Sequence, residues 1–229
     1  AAAREWAESE EADPTRRPEL WSDGGSLDAY PDPHHDGPLP VFTGGAANIY
    51  DQPHNPDAAD DRPTAETFGF SGDSACSLSS ESTAGFSGLD KIITTRAHLP
   101  GVLIWCSDSL SLFASLQKGP LAQTDELSAL IWHQLITLAE VGWQIALVFQ
   151  FGHCGTYRNE AVDAKIRSEL EALRNKYHLP GPNEAKELPP TTCFDWYKDE
   201  ANITFRRSKV VREWEANRAT IGTIRGEYH

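Results

Sequence analysis

The sequence lacks several features that would each have assigned it to a class of protein. No apolar run reaches the roughly eighteen residues that a transmembrane helix needs, so we expect no membrane partner. No two cysteines form a Cys-x-x-Cys pair, which argues against a structural zinc site. Isolated cysteines suit a reducing compartment, where we expect all four as small buried residues: Cys76, Cys106, Cys154 and Cys193.

The chain also lacks methionine altogether, and its N-terminus lacks a basic-then-apolar signal pattern. We therefore expect a piece of a longer polypeptide. Positive charge is scarce as well, since the net charge is −14. This argues against a free-standing nucleic-acid binder held by bulk electrostatics. A local basic cluster stands only near the C-terminus, at Arg206, Arg207, Lys209 and Arg212.

The 229 residues are enough for one domain of about 150 residues with appended segments. We interpret 1–17 as an acidic linker, 18–177 as the main domain, 178–192 as a Pro-rich linker and 193–229 as a C-terminal helical extension.

Apolar patterning within the main domain predicts an α/β fold. The predicted strands are 20–21, 41–50, 65–70, 102–106 and 145–149. The predicted helices are 77–96, a short one from 110 that ends before Gly119, 124–141, 157–176 and an appended one at 194–216. Gly24 and Gly25 are predicted to break the first strand, and Gly44 and Gly45 to bend or bulge the second.

The element order predicts the sheet. Three strands in succession favour an antiparallel meander, and the later strand–helix units favour parallel pairing with right-handed crossovers. The expected result is a mixed five-stranded sheet with helices on both faces.

Four carboxylates, Asp23, Glu81, Asp108 and Asp163, lie where a predicted strand ends or within a predicted helix that follows one. Each has an ordinary explanation alone, as a turn or capping residue. Brought together, they would repel one another unless a cation compensates them. Oxygen ligands at that density suit Mg²⁺ or Mn²⁺, and a pair of such ions can activate water for phosphodiester hydrolysis.

A glycine-rich turn joins the last predicted strand to the helix that carries Asp163. His153 lies between Gly152 and Gly155, where the turn can fold its imidazole back toward a carboxylate. Such a group can handle a proton beside a metal. A solvated histidine in a plain strand-to-helix turn is the alternative on motif grounds.

Taken in order, these elements resemble a type 1 ribonuclease H domain. The matching stretches are Asp23-Gly-Gly-Ser26, Glu81 in a helix after the third strand, Cys106-Ser-Asp-Ser-Leu110, and Gly152-His-Cys-Gly-Thr-Tyr-Arg-Asn-Glu-Ala-Val-Asp163. The residues of these stretches are most similar to those of domains in polyproteins of non-LTR retrotransposons of the ingi type. The resemblance covers about residues 18–177.

The resemblance implies a ribonuclease H-like fold and cleavage of the RNA strand of an RNA/DNA hybrid. It implies that the four carboxylates hold two Mg²⁺ ions, which Mn²⁺ can replace, and that His153 assists proton transfer or product release. It further implies substrate contacts at Ser26, Ser109 and Asn159, with Asn159 and Glu160 shaping the start of the helix. The expected partners are reverse transcriptase and other domains of a parent polyprotein, in an intracellular, nuclear location.

Two further hypotheses remain open on the sequence. A ribonuclease H-like domain without turnover could serve as a scaffold or interaction module, which the acidic net charge favours. A metal-independent binding domain would require the order of the carboxylates to be a coincidence.

Overall fold

The computed structural model describes residues 17–28, 41–52, 61–73, 75–177 and 225–228. The predicted linkers, apart from Arg17, and the predicted helix 194–216 lie outside these ranges, as does Cys193. None of the described helices is long and apolar enough to span a membrane.

The described residues form six strands and four α-helices. The strands are β1 (Glu19–Asp28), β2 (Val41–Tyr50), β3 (Ala65–Asp73), β4 (Val102–Ser107), β5 (Gln144–Phe149) and β6 (Arg225–Tyr228). The helices are α1 (Ser77–Arg96), α2 (Leu110–Leu116), α3 (Glu126–Glu140) and α4 (Tyr157–Tyr177), with a 3-10 turn at Pro120–Ala122.

The strands form one mixed sheet in the order β3-β2-β1-β4-β5-β6. The first three pair antiparallel as a meander, and β4 and β5 run parallel to β1. The predicted mixed five-stranded sheet is therefore confirmed. A sixth strand, Arg225–Tyr228, pairs parallel with β5. Of the range 193–229, predicted as helical, only these four residues of chain are described, and they are a strand that covers the edge of β5.

The prediction that Gly24 and Gly25 break the first strand is wrong, because β1 continues through both and pairs there with two glycines of β2. A Cβ on Gly24 would lie 2.5 Å from the backbone nitrogen of Glu81, and one on Gly25 would lie 2.6 Å from Ile166. The glycines therefore let helices approach closely. Because neighbouring residues of a strand face opposite sides, α1 and α4 pack on opposite faces of the sheet.

The irregularity predicted at Gly44 is present in the pairing of β2 with β3. Thr43 lies opposite Gly72 while Gly44 lies opposite Phe70. Ser71 is therefore the extra residue, so the bulge belongs to β3 and not to β2.

Each face of the sheet carries its own apolar core. On the α1 and α3 face the largest buried side chains include Leu20, Ile49, Leu103, Trp105 and Leu135. On the α4 face the core consists of Phe42, Ala46, Phe70, Val162, Ile166 and Leu170. Burial of each large side chain contributes about 1.5–3 kcal/mol, so these two layers hold the helices against the sheet.

The cysteines depart from the expectation that all are buried. Cys106 is buried in β4, whereas Cys76 and Cys154 are exposed, and all three are free thiols. Cys76 precedes the first turn of α1 and Cys154 lies in the turn before α4, and connections of this kind run over the surface.

A buried arginine fixes the start of α4. Arg158 is 2% exposed, and its guanidinium donates to Glu19 at 2.7 Å and to Asp61 at 2.9 Å. It also lies over the ring of Tyr50, 3.9 Å from the centroid, and donates to the Gln52 carbonyl. The first turn of α4 is therefore tied to β1, to the end of β2 and to the segment before β3.

We predict that Arg158→Met lowers the free energy of unfolding by about 3–5 kcal/mol, because the largely enclosed carboxylates of Glu19 and Asp61 lose a charged partner. Arg96→Met is the matched control, since Arg96 pairs with the exposed Asp51 at 2.8 Å. That change should cost about 1 kcal/mol or less. Urea unfolding of both variants measures the difference, and equal losses would contradict a special role for the buried pair.

Candidate active site

Three of the four predicted carboxylates converge. Asp23, Glu81 and Asp108 each offer an oxygen, and these atoms lie within 4.8 Å of one another. Asp23 and Glu81 are each 6% exposed, and Asp108 is half-buried. The three come from the middle of β1, the second turn of α1 and the residue directly after β4.

The sheet register explains this convergence. Trp21 pairs with Cys106 in the parallel β1–β4 ladder, so Asp23 and Asp108 are each two residues farther along neighbouring strands. The close packing of α1 on Gly24 brings Glu81 to the same place. The backbone of Gly24 lies beside the carboxylates of both Asp23 and Glu81 and lowers their pKa values, by less than burial raises them.

Burial and mutual repulsion raise the pKa values of the cluster. Burial, with repulsion from Asp108 and Asp163, raises the pKa of Asp23 to about 7. Burial, with repulsion from Asp23 and Asp108, raises the pKa of Glu81 to about 9. Burial also raises the pKa of Asp108, although Asn159 and His153 oppose that rise. Without a cation, the fold thus disfavours the ionised form of every member.

The donor set fits a hard divalent cation. All three groups offer oxygen, the ligand that Mg²⁺ and Mn²⁺ prefer. Glu81 Oε2 is buried and has no hydrogen-bond partner, which is costly for a carboxylate oxygen. A bound cation would satisfy this oxygen and offset the repulsion that raises the pKa values.

Asp163 belongs to a second, adjoining group. Its carboxylate oxygen lies within 4.8 Å of ligand atoms of His153 and Glu160. Asp163 is also 3.5 Å from Arg167, one turn along α4. Its charge raises the pKa values of Asp23 and Asp108, so it lies near enough to repel both of them. The predicted four-carboxylate set is thus three acids whose oxygens lie within 4.8 Å of one another, with a fourth acid beside them.

His153 lies in the turn that closes over Asp108. A Cβ added to Gly152 would clash with the Asp108 carboxylate, so the turn backbone lies directly against it. His153 is exposed and has a φ of 54°, in the left-handed region that asparagine tolerates better than most residues. The turn therefore presents an imidazole to solvent at the edge of the carboxylate site.

The three predicted substrate residues lie in different surroundings. Ser26 is exposed on β1, on the same side of the strand as Gly24 and opposite to Asp23. Ser109 is 8% exposed and caps α2, where its hydroxyl accepts from the Leu112 amide at 3.4 Å. Asn159 is 1% exposed and lies close enough to Asp108 to lower that pKa, although its amide makes no hydrogen bond of strict geometry. Their substrate contacts stay predictions.

Sequence reasoning missed Glu160 as a member of the second group, and it missed Arg158. Glu160 could have been found from spacing, because residues three apart on a helix share a face and Asp163 is three residues on. Arg158 carries no comparable signal, since its partners are 139 and 97 residues away along the chain.

A separate cavity lies between the N-termini of α1 and α3, with a volume of about 440 Å³. Its lining is Cys76, Leu78, Ser79, Ser82, Thr124, Asp125, Glu126 and Leu127. None of the converging carboxylates lines it, so the acidic site and this cavity are distinct features.

No family profile and no curated protein sequence matches this chain. Several solved structures are similar to it. The N-terminal RNase H domain of a Mycobacterium tuberculosis protein, solved as a fusion with maltose binding protein, is 14% identical at a TM-score of 0.44. That match covers 70% of this chain and 97% of the other.

Two further structures are similar to a comparable degree. LC11-RNase H1, isolated from compost by a metagenomic approach and solved in complex with an RNA/DNA hybrid, is 14% identical at a TM-score of 0.46, with coverage of 67% and 99%. RNase H1 of the halophilic archaeon Halobacterium salinarum is 17% identical at a TM-score of 0.37, with coverage of 68% and 98%. Because these sequence identities and TM-scores are low, any functional conclusion has to rest on the residues of this chain.

The raised pKa of Asp23 predicts a pH dependence of stability in the presence of EDTA. A carboxyl whose folded pKa is about 7, against 3.8 unfolded, holds its proton more tightly in the native state. Its contribution to stability is therefore present below pH 4 and is lost as the pH rises through 7. At pH 8 we expect Asp23→Asn to be about 2–4 kcal/mol more stable than the parent, and at pH 4 to be similar.

Asp90→Asn is the control for this measurement, because Asp90 is exposed on the same helix as Glu81 and away from the cluster. Urea unfolding of the three proteins across pH 4–9 gives the curves. If the free energies of unfolding of the parent and Asp23→Asn differ by the same amount at all pH values, the ionised Asp23 carboxylate does not destabilise the fold.

Proposed function

We propose that this chain is a metal-dependent ribonuclease H that hydrolyses the RNA strand of RNA/DNA hybrids. The observation that supports this proposal is the convergence of Asp23, Glu81 and Asp108 within 4.8 Å, with one buried oxygen lacking a partner. Asp163 and His153, which belong to the same predicted set, form an adjoining group with Glu160.

Asp23, Glu81, Asp108 and Asp163 would hold two Mg²⁺ ions, or Mn²⁺ in their place. Such ions supply an activated water and charge stabilisation at the leaving oxygen of a phosphodiester. The chain's own contribution is to hold the carboxylate oxygens in place before substrate arrives, because β1, α1, the end of β4 and α4 each carry one of the four acids.

His153 would move a proton at the exposed edge of the site. Its ring nitrogen lies within 4.8 Å of carboxylate oxygens of Glu160 and Asp163, which can orient the imidazole. Because it lies on a surface turn, His153 can contact a product phosphate without any rearrangement of the helices and strands. We therefore assign it proton transfer or product release and not primary ligation.

The substrate assignment rests on the resemblance of the motifs. In a hybrid, the 2′-hydroxyls of one strand distinguish RNA from DNA in a wide and shallow groove. We further propose that the chain acts within a non-LTR retrotransposon polyprotein, in the nucleus. There a reverse transcriptase would hold the hybrid and raise its effective concentration at this site.

One observation favours the alternative, a scaffold without turnover. The segments around the carboxylates, 19–28, 77–90, 102–117 and 144–164, contain a single Lys or Arg, the buried Arg158. Phosphate attraction at the site is therefore weak. A cleavage assay decides between the two hypotheses, because a scaffold binds without cutting.

We predict Mg²⁺-dependent cleavage of RNA in an RNA/DNA hybrid at low salt, with duplex DNA uncut. Asp108→Asn should lower the rate by at least about a hundredfold, since it removes a negative ligand from the cluster. Asp90→Asn should cut like the parent. The measurement is gel analysis of end-labelled hybrid with Mg²⁺ or Mn²⁺, and intact RNA with both ions would rule out the enzyme.

His153→Asn is predicted to slow cleavage by about 10- to 100-fold while leaving stabilisation by Mg²⁺ intact. Asparagine is chosen because it tolerates the left-handed backbone of this residue. Thermal melting with and without Mg²⁺ and single-turnover cleavage are the two measurements. Loss of the Mg²⁺-dependent shift in melting temperature would instead make His153 a ligand.

A further inference from the structure

Several large apolar side chains that are exposed in the described part of the chain lie close in sequence to Asp108 and His153. Five large apolar residues are exposed in the described part of the chain: Leu99, Leu110, Leu121, Phe151 and Tyr157. Three of them, Leu110, Phe151 and Tyr157, belong to the segments that carry Asp108 and His153. We name these three residues the apolar lip.

The sheet register brings the segments that carry two members of the lip to the same edge of the sheet. Ser107 at the end of β4 pairs with Phe149 at the end of β5. Leu110 is three residues beyond Ser107, and Phe151 is two residues beyond Phe149. Asp108 lies within the same short stretch after β4, so Leu110, Phe151 and Asp108 share one edge of the sheet.

The structure holds the two aromatic members in place. Phe151 is 61% exposed, yet its ring packs edge-on against Phe149 with centroids 5.2 Å apart. Tyr157 is 56% exposed and is the first residue of α4, directly before the buried anchor Arg158. Both side chains thus present apolar surface from a fixed backbone, and little entropy is lost when something packs on them.

The segments around the lip offer few cations that could bind the phosphates of a nucleic acid. The only Lys or Arg in the surrounding segments is Arg158, which is engaged by Glu19 and Asp61. Two further cations on α4 are engaged by acids, since Arg167 lies 3.5 Å from Asp163 and Lys165 pairs with Glu66 and Glu169. A substrate that reaches the carboxylates therefore meets aromatic rings where other nucleases would offer phosphate-binding cations.

We propose that the apolar lip is a nucleic-acid contact surface, on which the rings of Phe151 and Tyr157 pack against the sugars and base edges beside the scissile phosphate. This inference rests on the proposed function, because that function brings a hybrid to the lip. Every base and sugar offers an apolar face, so such contacts tolerate any sequence. They release no counterions, so they add affinity that salt does not remove.

The test compares Phe151→Ala and Tyr157→Ala with the parent in two assays. One is anisotropy of a labelled RNA/DNA hybrid with Ca²⁺, and the other is steady-state cleavage with Mg²⁺. Each variant should weaken binding and raise KM on the order of tenfold, with kcat changed less. The slope of log affinity against log salt should stay the same, since no phosphate contact is lost.

Matched variants separate the lip from general surface effects. Leu99→Ala removes an exposed leucine before β4, at the opposite end of that strand from Leu110, and should bind like the parent. Phe151→Trp keeps an aromatic face and should retain parental affinity. Unchanged melting temperatures exclude unfolding as the cause of any loss.

The outcomes distinguish this inference from the proposed function. Cleavage by the parent with unchanged affinity in Phe151→Ala and Tyr157→Ala overturns the lip and leaves the enzyme. Hybrid binding that depends on both rings, without cleavage, overturns the enzyme and retains the lip. If the substitutions alter only the sedimentation of the protein, the lip is a contact between copies of this chain and the inference is wrong.

Discussion

Repulsion among Asp23, Glu81 and Asp108 is the constraint on which the rest of the structure depends. A fold that brings oxygens of two buried acids and one half-buried acid within 4.8 Å of one another holds two of these acids at pKa values of about 7 and 9. This arrangement costs stability, and the two apolar cores on opposite faces of the sheet have to offset it. A bound divalent cation turns this destabilising contribution into a stabilising one, because each acid is then attracted to the shared positive charge.

Close packing at glycine is what makes the convergence possible. Side chains at Gly24 and Gly25 would collide with α1 and α4, so both helices approach β1 more closely than they could at any other residue type. That approach brings Glu81 to Asp23 from one side and α4 with Asp163 from the other. The glycines were predicted to end β1 because propensity describes the isolated strand, whereas here the packing of helices decides the residue type.

Local signals explain how much could be predicted from the sequence. α1 begins and ends as predicted at Ser77 and Arg96, and α4 begins at Tyr157, because glycine-rich turns and apolar spacing mark these limits. The convergence of Asp23 and Asp108 follows from parallel strands that meet at one edge. The anchor at Arg158 and the pairing of β6 with β5 could not be predicted, since both join segments far apart in sequence.

The buried Arg158 and the exposed apolar lip are both related to the scarcity of cations near the carboxylate site. In the described part of the chain few cations lie near these acids: Arg158 is enclosed by Glu19, Asp61 and Tyr50, and Arg167 pairs with Asp163. Arg158 therefore contributes to the order of α4 and not to phosphate binding. The site keeps an uncompensated negative field, which attracts divalent cations and repels the nucleic-acid backbone. Affinity for a polyanion then has to come from uncharged contacts, and the exposed rings beside the site are the surface that can make them.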